Sequence, residues 1–136
     1  MSVNLLSGLS PDAKKLIIHK PVYICGKVTG TDDYSTRFMA AEIALKNLGF
    51  YSPMIYNPVI IIACEQADLN YLMPYAEIMN ELQPWLMKAA LLVRLSDWID
   101  SPGAKLENQF AMDNHIMIAD LVDGELMIAP EMLGVK

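Results

Sequence analysis

Cysteine is almost missing from this chain. Cys25 and Cys64 stand alone, with neither metal-ligand spacing nor the density of a disulfide scaffold. Both are expected as reduced thiols, which points to the cytoplasm. Charge is scarce as well, at 19% of residues, and it leans acidic: ten Lys and Arg stand against sixteen Asp and Glu, a net charge of −6. That sign argues against nucleic acid or an anionic membrane as the main partner. Long apolar runs are also lacking. The longest, Val59 to Cys64, falls far short of the roughly 20 residues that a bilayer span requires. The start, MSVNLLSGLSPDAKK, has no basic segment leading into a long apolar stretch, so no secretory signal is expected. There is no internal repeat and no low-complexity tract. No pair of His, Cys/His set or carboxylate cluster has metal spacing, so neither a metal nor another cofactor is expected.

What is abundant is apolar surface. Of the 136 residues 54% are hydrophobic and ten are Met, which suits one domain over residues 1–136 with a sizeable core. It exceeds what one core of this size needs, so copies of the chain are expected to associate as a dimer or larger. The segment Tyr71–Lys88, with Met73, Met79, Trp85 and Met87, is the expected contact.

The order of elements predicts an α/β fold. Ser10-Pro11-Asp12 caps a short helix to about Ile18, and residues 1–19 read as a peripheral segment. Pro21 to Cys25 (PVYIC) reads as the first and central strand, ending at Gly26. The loop GKVTGTDD follows, and Asp32 or Asp33 caps a helix from Tyr34 to Leu48. Its buried stripe is Phe38, Ala41, Leu45 and Leu48, and Gly49 stops it. Phe50 to Tyr56 is a second strand, at an edge because it contains Pro53. Val59 to Asn70 reads as a strand, a covering loop or a short helix. Tyr71 to Lys88 is mostly helical, with Pro74 and Pro84 starting, kinking or dividing it. Leu91 to Leu95 is a third strand, Ile116 to Ala119 a fourth, and Leu126 to Ala129 after Gly124 a possible fifth. Strands alternating with helices predict a flavodoxin-like or Rossmann-like, doubly wound parallel sheet of four to five strands.

The stretch from Leu91 to His115 is the functional centre of this reading. A strand breaks at Ser96-Asp97, passes a loop with Trp98, Asp100, Ser101, Pro102 and Gly103, and re-enters as a helix carrying Glu107. Open α/β sheets place ligands at such strand ends, where a helix start offers free N–H groups and a positive dipole end. Ser101 reads as N-cap and Pro102 as the first helical residue. A single Glu on a helix is ordinarily a solvated surface residue, and that reading stands beside the functional one. Glu42 is either solvated or paired with the loop after the first strand. His115 fits a favourable contact at a helix C-terminus.

A set of short motifs then falls into one order. They are Tyr23-Ile24-Cys25-Gly26-Lys27-Val28-Thr29-Gly30; Tyr34, Phe38, Ala41-Glu42, Leu45 and Gly49; Asn57-Pro58; and Asp97-Trp98-Ile99-Asp100-Ser101-Pro102-Gly103-Ala104-Lys105-Leu106-Glu107. This pattern resembles the nucleoside 2-deoxyribosyltransferase-like superfamily, and within it the small proteins of the DUF4406 group. The resemblance implies that Glu107 is a nucleophile toward the anomeric carbon of a 2-deoxynucleoside or its monophosphate, and that Tyr23 holds it. It also implies substrate contacts from Gly26, Lys27, Thr29, Gly30, Trp98, Asp100, Ser101, Gly103 and Ala104. Four positions depart from the family pattern. Lys27 stands where the family has Pro, Ala90 where it has Asp, and Asp97 where it has Gly. The Asp that handles the nucleobase falls on Leu82, with Glu77 and Glu81 nearby. The expected activity is therefore that of an N-glycosidase or deoxyribosyltransferase on a small nucleoside or nucleotide. The alternatives are a non-catalytic nucleotide-binding module, and an assembly subunit whose Met-rich surface is its function.

Overall fold

The computed structural model describes residues 3–27, 34–58 and 75–133. The strand VYIC is apolar throughout, and a strand of that composition is stable only where both faces are covered. It forms β1 (Val22–Cys25), all four residues buried. The other strands are β2 (Ile55–Tyr56), β3 (Leu91–Arg94), β4 (Met117–Val122) and β5 (Glu125–Ile128), in the order β2-β1-β3-β4-β5. β1 to β4 are parallel neighbours, with Tyr23 opposite Leu92 and Cys25 opposite Arg94. The expected flavodoxin-like order is thus the observed one, with β1 central and β3 beside it.

Alternation along the strands divides the core in two. Val22, Ile24, Leu91 and Val93 face one side, where α2 (Tyr34–Asn47) packs with Phe38, Ala41 and Leu45. Tyr23, Cys25, Leu92 and Ile118 face the other, covered by α3 (Tyr75–Lys88) through Leu82 and Leu86 and by α4 (Pro102–Asp113) through Ala104 and Ala111. α1 (Pro11–Ile17) is capped by Ser10, whose side chain accepts from the Ala13 N–H, and none of its own residues is buried. Gly49, at φ 102°, takes the left-handed position after α2 that a residue with a Cβ adopts only at a cost.

Three details differ from expectation. The sheet is not wholly parallel: β5 runs antiparallel to β4. Asp123 (φ 50°) and Gly124 (φ 79°) form the two-residue turn, both in the left-handed region that tight hairpins demand. The second strand is shorter than Phe50–Tyr56, because Pro53 lies in a 3-10 turn over Ser52–Met54 and only Ile55 and Tyr56 pair. The N-terminal segment is not all peripheral. Leu5 and Leu6 are core residues, and Leu5 N–H and Val3 carbonyl bond the free edge of β5 at 2.8 and 2.7 Å. Residues 59–74, including Val59–Asn70, Met73 and Pro74, lie outside the described residues. Among the described residues no helix is long and apolar enough to cross a membrane.

Candidate active site

α4 starts where the sequence places it. Ser101 is the N-cap, its Oγ accepting from the Ala104 N–H at 3.2 Å, and Pro102 is the first helical residue. The helix buries Ala104, Glu107 and Ala111, residues three and four apart on one stripe. Two alanines bring the helix close to the sheet, and between them Glu107 reaches β1. There the Tyr23 hydroxyl donates to Glu107 Oε2. Tyr23 is 0% exposed and Glu107 5%, so the pair lies within the core. Cys25, two residues on and on the same face, donates its thiol to the Ala104 carbonyl at 3.4 Å.

Burial dominates the electrostatics. It raises the Glu107 carboxyl to about 7, against the opposing pull of the Tyr23 hydrogen bond and the nearby Cys25 thiol, which favour the anion. Tyr23 and Cys25 are both pushed well above their usual ranges, first by burial and then by the neighbouring Glu107 charge. Both therefore stay protonated near neutral pH, and the Tyr23 hydroxyl is held as a donor to the Glu107 carboxylate. A carboxyl poised this way, beside fixed donors, has the properties required of a nucleophile or general acid.

Around this pair the strand ends form a rim. Asp97 Oδ1 accepts from the Lys27 N–H at 3.1 Å, and Arg37 donates both to Asp97 Oδ2 and, at 2.7 Å, to the Lys27 carbonyl. The loops after β1 and β3 are thus tied together. Gly26 is buried, and a Cβ there would lie 2.9 Å from Leu95 Cδ1. Arg94, at the end of β3 and 2% exposed, donates to Asp120 from Nε at 2.7 Å and from Nη2 at 2.9 Å, to Glu131, and to Asn108 at 3.2 Å. Its guanidinium lies 4.2 Å from the centre of the Trp98 ring.

The model of a domain of unknown function, DUF4406, matches residues 20–120. The chain belongs to the DUF4406 family. No curated protein and no solved structure matches it.

The matched span of this DUF4406 chain holds both members of the buried pair, while β5, Glu131 and the segment at Val3–Leu5 fall outside it. Of the residues expected to form the site, Tyr23 and Glu107 come together in the core, and Gly26, Lys27, Trp98, Ser101, Gly103 and Ala104 gather at the ends of β1 and β3 and the start of α4. Several of them already have structural partners. Gly26 makes room for Leu95, Ser101 caps α4, Ala104 is packed at 1% exposure, and Trp98 lies against Arg94. Asp100 is exposed, in a 3-10 turn over Trp98–Asp100. Thr29 and Gly30 lie outside the described residues. Leu82 is buried in the same apolar cluster as Tyr23 and Ala104, so that position offers no acid to a ligand. Glu42 pairs with Lys46 at 3.1 Å. Cys25 is a buried free thiol, and Cys64 lies outside the described residues.

Two residues escaped the sequence reading, Arg94 and Arg37. Arg94 had a signal: an arginine inside LLVRL needs a carboxylate, and Asp120 ends the otherwise apolar IMIAD. The register places these two opposite each other on adjacent strands. Arg37 had none, since its partners Asp97 and Lys27 are brought to it only by the fold.

Proposed function

We propose that this protein is an N-glycosidase or 2-deoxyribosyltransferase acting on a (deoxy)nucleoside or nucleoside 5′-monophosphate through a covalent glycosyl-Glu107 intermediate. The observation that carries this reading is the buried Tyr23–Glu107 hydrogen bond beneath a rim of strand ends. The sequence resemblance to nucleoside 2-deoxyribosyltransferase-like proteins supports it. A Glu107 carboxylate oxygen attacks the anomeric carbon as the C–N bond breaks and its electron pair leaves with the base. The ester is then resolved by water or a second base with retained configuration. Tyr23 fixes the carboxylate and keeps its unused oxygen free to face the sugar. Leu82 supplies no proton to the departing base, so substrates whose base leaves readily are favoured.

That same Leu82 favours a second reading, a nucleotide-binding module without turnover. Base release from a panel of deoxynucleosides and deoxynucleotides, with wild type against Glu107→Gln, separates the two. Release that depends on Glu107 supports the enzyme. Saturable binding without release supports the module. The cytoplasm as compartment and self-association through α3, where Trp85 and Met87 are exposed, belong to the same proposal. A monomeric mass by light scattering at micromolar concentration would end the latter.

A further inference from the structure

The chain has ten Lys and Arg in all, and those next to the site are Lys27, Arg37, Arg94 and Lys105. The two guanidiniums, the groups best shaped to hold a phosphate, are committed elsewhere. Arg94 is buried beneath Asp120 and Glu131, and Arg37 is bound to Asp97 and the Lys27 carbonyl. Acids outnumber bases around them: Asp97, Asp100, Asp120, Glu131 and Glu107.

The start of α4 does not compensate. Its first residue, Pro102, has no N–H. The Ala104 N–H is taken by the Ser101 hydroxyl at 3.2 Å and the Lys105 N–H by the Ser101 carbonyl at 3.0 Å. The donors that would receive a phosphate at a helix N-terminus are largely used by the helix's own cap. An additional dianion would also sit close to the Glu107 carboxylate, in surroundings that screen charge poorly.

We infer that the site selects an uncharged nucleoside over the corresponding nucleoside 5′-phosphate. The inference rests on the glycosidase reading and deepens it by naming the charge class of the substrate. Asp97 acts here as a specificity residue, because its pairing with Arg37 withholds the guanidinium nearest the loop after β1 from an anionic ligand.

The test uses the full chain with the four 2′-deoxynucleosides and their four 5′-monophosphates at one fixed salt concentration. Base release is followed by chromatography and binding by calorimetry. The expected result is a kcat/KM at least about tenfold higher for the nucleosides, with Asp97→Asn narrowing the gap by removing the anion that pairs with Arg37. Equal or better use of the monophosphates overturns the inference and leaves the role of Glu107 standing. If neither series releases base, the glycosidase reading fails and calorimetry decides the charge preference by itself. Tighter nucleoside binding then upholds it; tighter monophosphate binding, equal binding, or none of either overturns it.

Discussion

Tyr23 and Glu107 are 84 residues apart in the chain, yet the hydroxyl of one donates to the carboxylate of the other inside the core. A buried carboxyl with only polar neutral partners is an expensive arrangement, since burial disfavours its charged form and raises it to about 7. A core designed only for stability would place an apolar residue between Ala104 and Ala111. The pairing therefore makes sense when Glu107 has chemistry to perform.

The first prediction is kinetic. Glu107→Gln preserves shape and the ability to accept from Tyr23 but removes the anion, so turnover should fall by several orders of magnitude while binding persists. That corresponds to roughly 4–8 kcal/mol of barrier at about 1.4 kcal/mol per tenfold. Tyr23→Phe removes one positioning hydrogen bond, and a loss of about 10- to 100-fold is expected. Single-turnover rates on a substrate with a readily departing base provide the comparison. Equal rates for wild type and Glu107→Gln would eliminate the nucleophile.

The second concerns pH. Folding raises the Glu107 carboxyl from its ordinary 4.5 to about 7, so the folded state holds a proton that the unfolded state releases across that window. Its contribution is fully present below about 4.5 and is lost as pH rises to about 7, a loss on the order of 3 kcal/mol at about 1.4 kcal/mol per unit. Turnover should move the other way, increasing with pH through about 7 as the nucleophile ionises. Urea titrations of wild type and Glu107→Gln at several pH values isolate this group from the other carboxyls. Parallel stability profiles for the two proteins would refute the linkage.

Much of this was legible because local and global signals agreed. The apolar strands VYIC and LLVRL, the Ser-Pro start of α4 and the glycine after α2 each specify one geometry, and strand–helix alternation predicts the parallel part of the sheet. The antiparallel fifth strand was legible too, in the Asp123-Gly124 pair, although strand–helix alternation argued for a parallel one. Partnership between distant charges was not. Asp97 looks like a loop acid, and Arg37 a solvated helix residue, until β1 and β3 bring them together. The stripe Ala104-Glu107-Ala111 did hold a clue: an acid flanked by two small residues on one helix face is an acid facing inward.

The third prediction concerns Arg94. Its side chain is 2% exposed and joins β3 to Asp120 on β4, Asn108 on α4 and Glu131 near the C-terminus. Arg94→Met leaves Asp120 and Glu131 facing each other without a cation. Both carboxylates reach water, at 27% and 36% exposure, so the cost is smaller than for a fully buried pair. About 2–3 kcal/mol is expected, read as a drop in Tm of roughly 6–10 °C. Trp98 loses its cationic neighbour, so its fluorescence should shift in the native state. An unchanged Tm would show the network to be energetically neutral.

The last prediction separates packing from ligand contact at Gly26. A Cβ at this position would lie 2.9 Å from Leu95 Cδ1 and 3.1 Å from both its Cβ and Cγ. Two of these three contacts are with Cγ and Cδ1, the atoms that a shorter side chain at position 95 would lack. Gly26→Ala must therefore displace Leu95 from the core or push β1 from the start of the rim, at a cost of about 1–3 kcal/mol. If glycine is there for Leu95, shortening that residue should repair the damage. Leu95→Ala alone leaves a cavity and destabilises by about 2–4 kcal/mol. In the double variant the new methyl occupies part of that space, and the two losses should sum to more than the measured effect by about 1 kcal/mol or more. Additive losses would mean that Leu95 is not what forbids a side chain, and the glycine would then be explained by the approach of a ligand to the backbone at the end of β1.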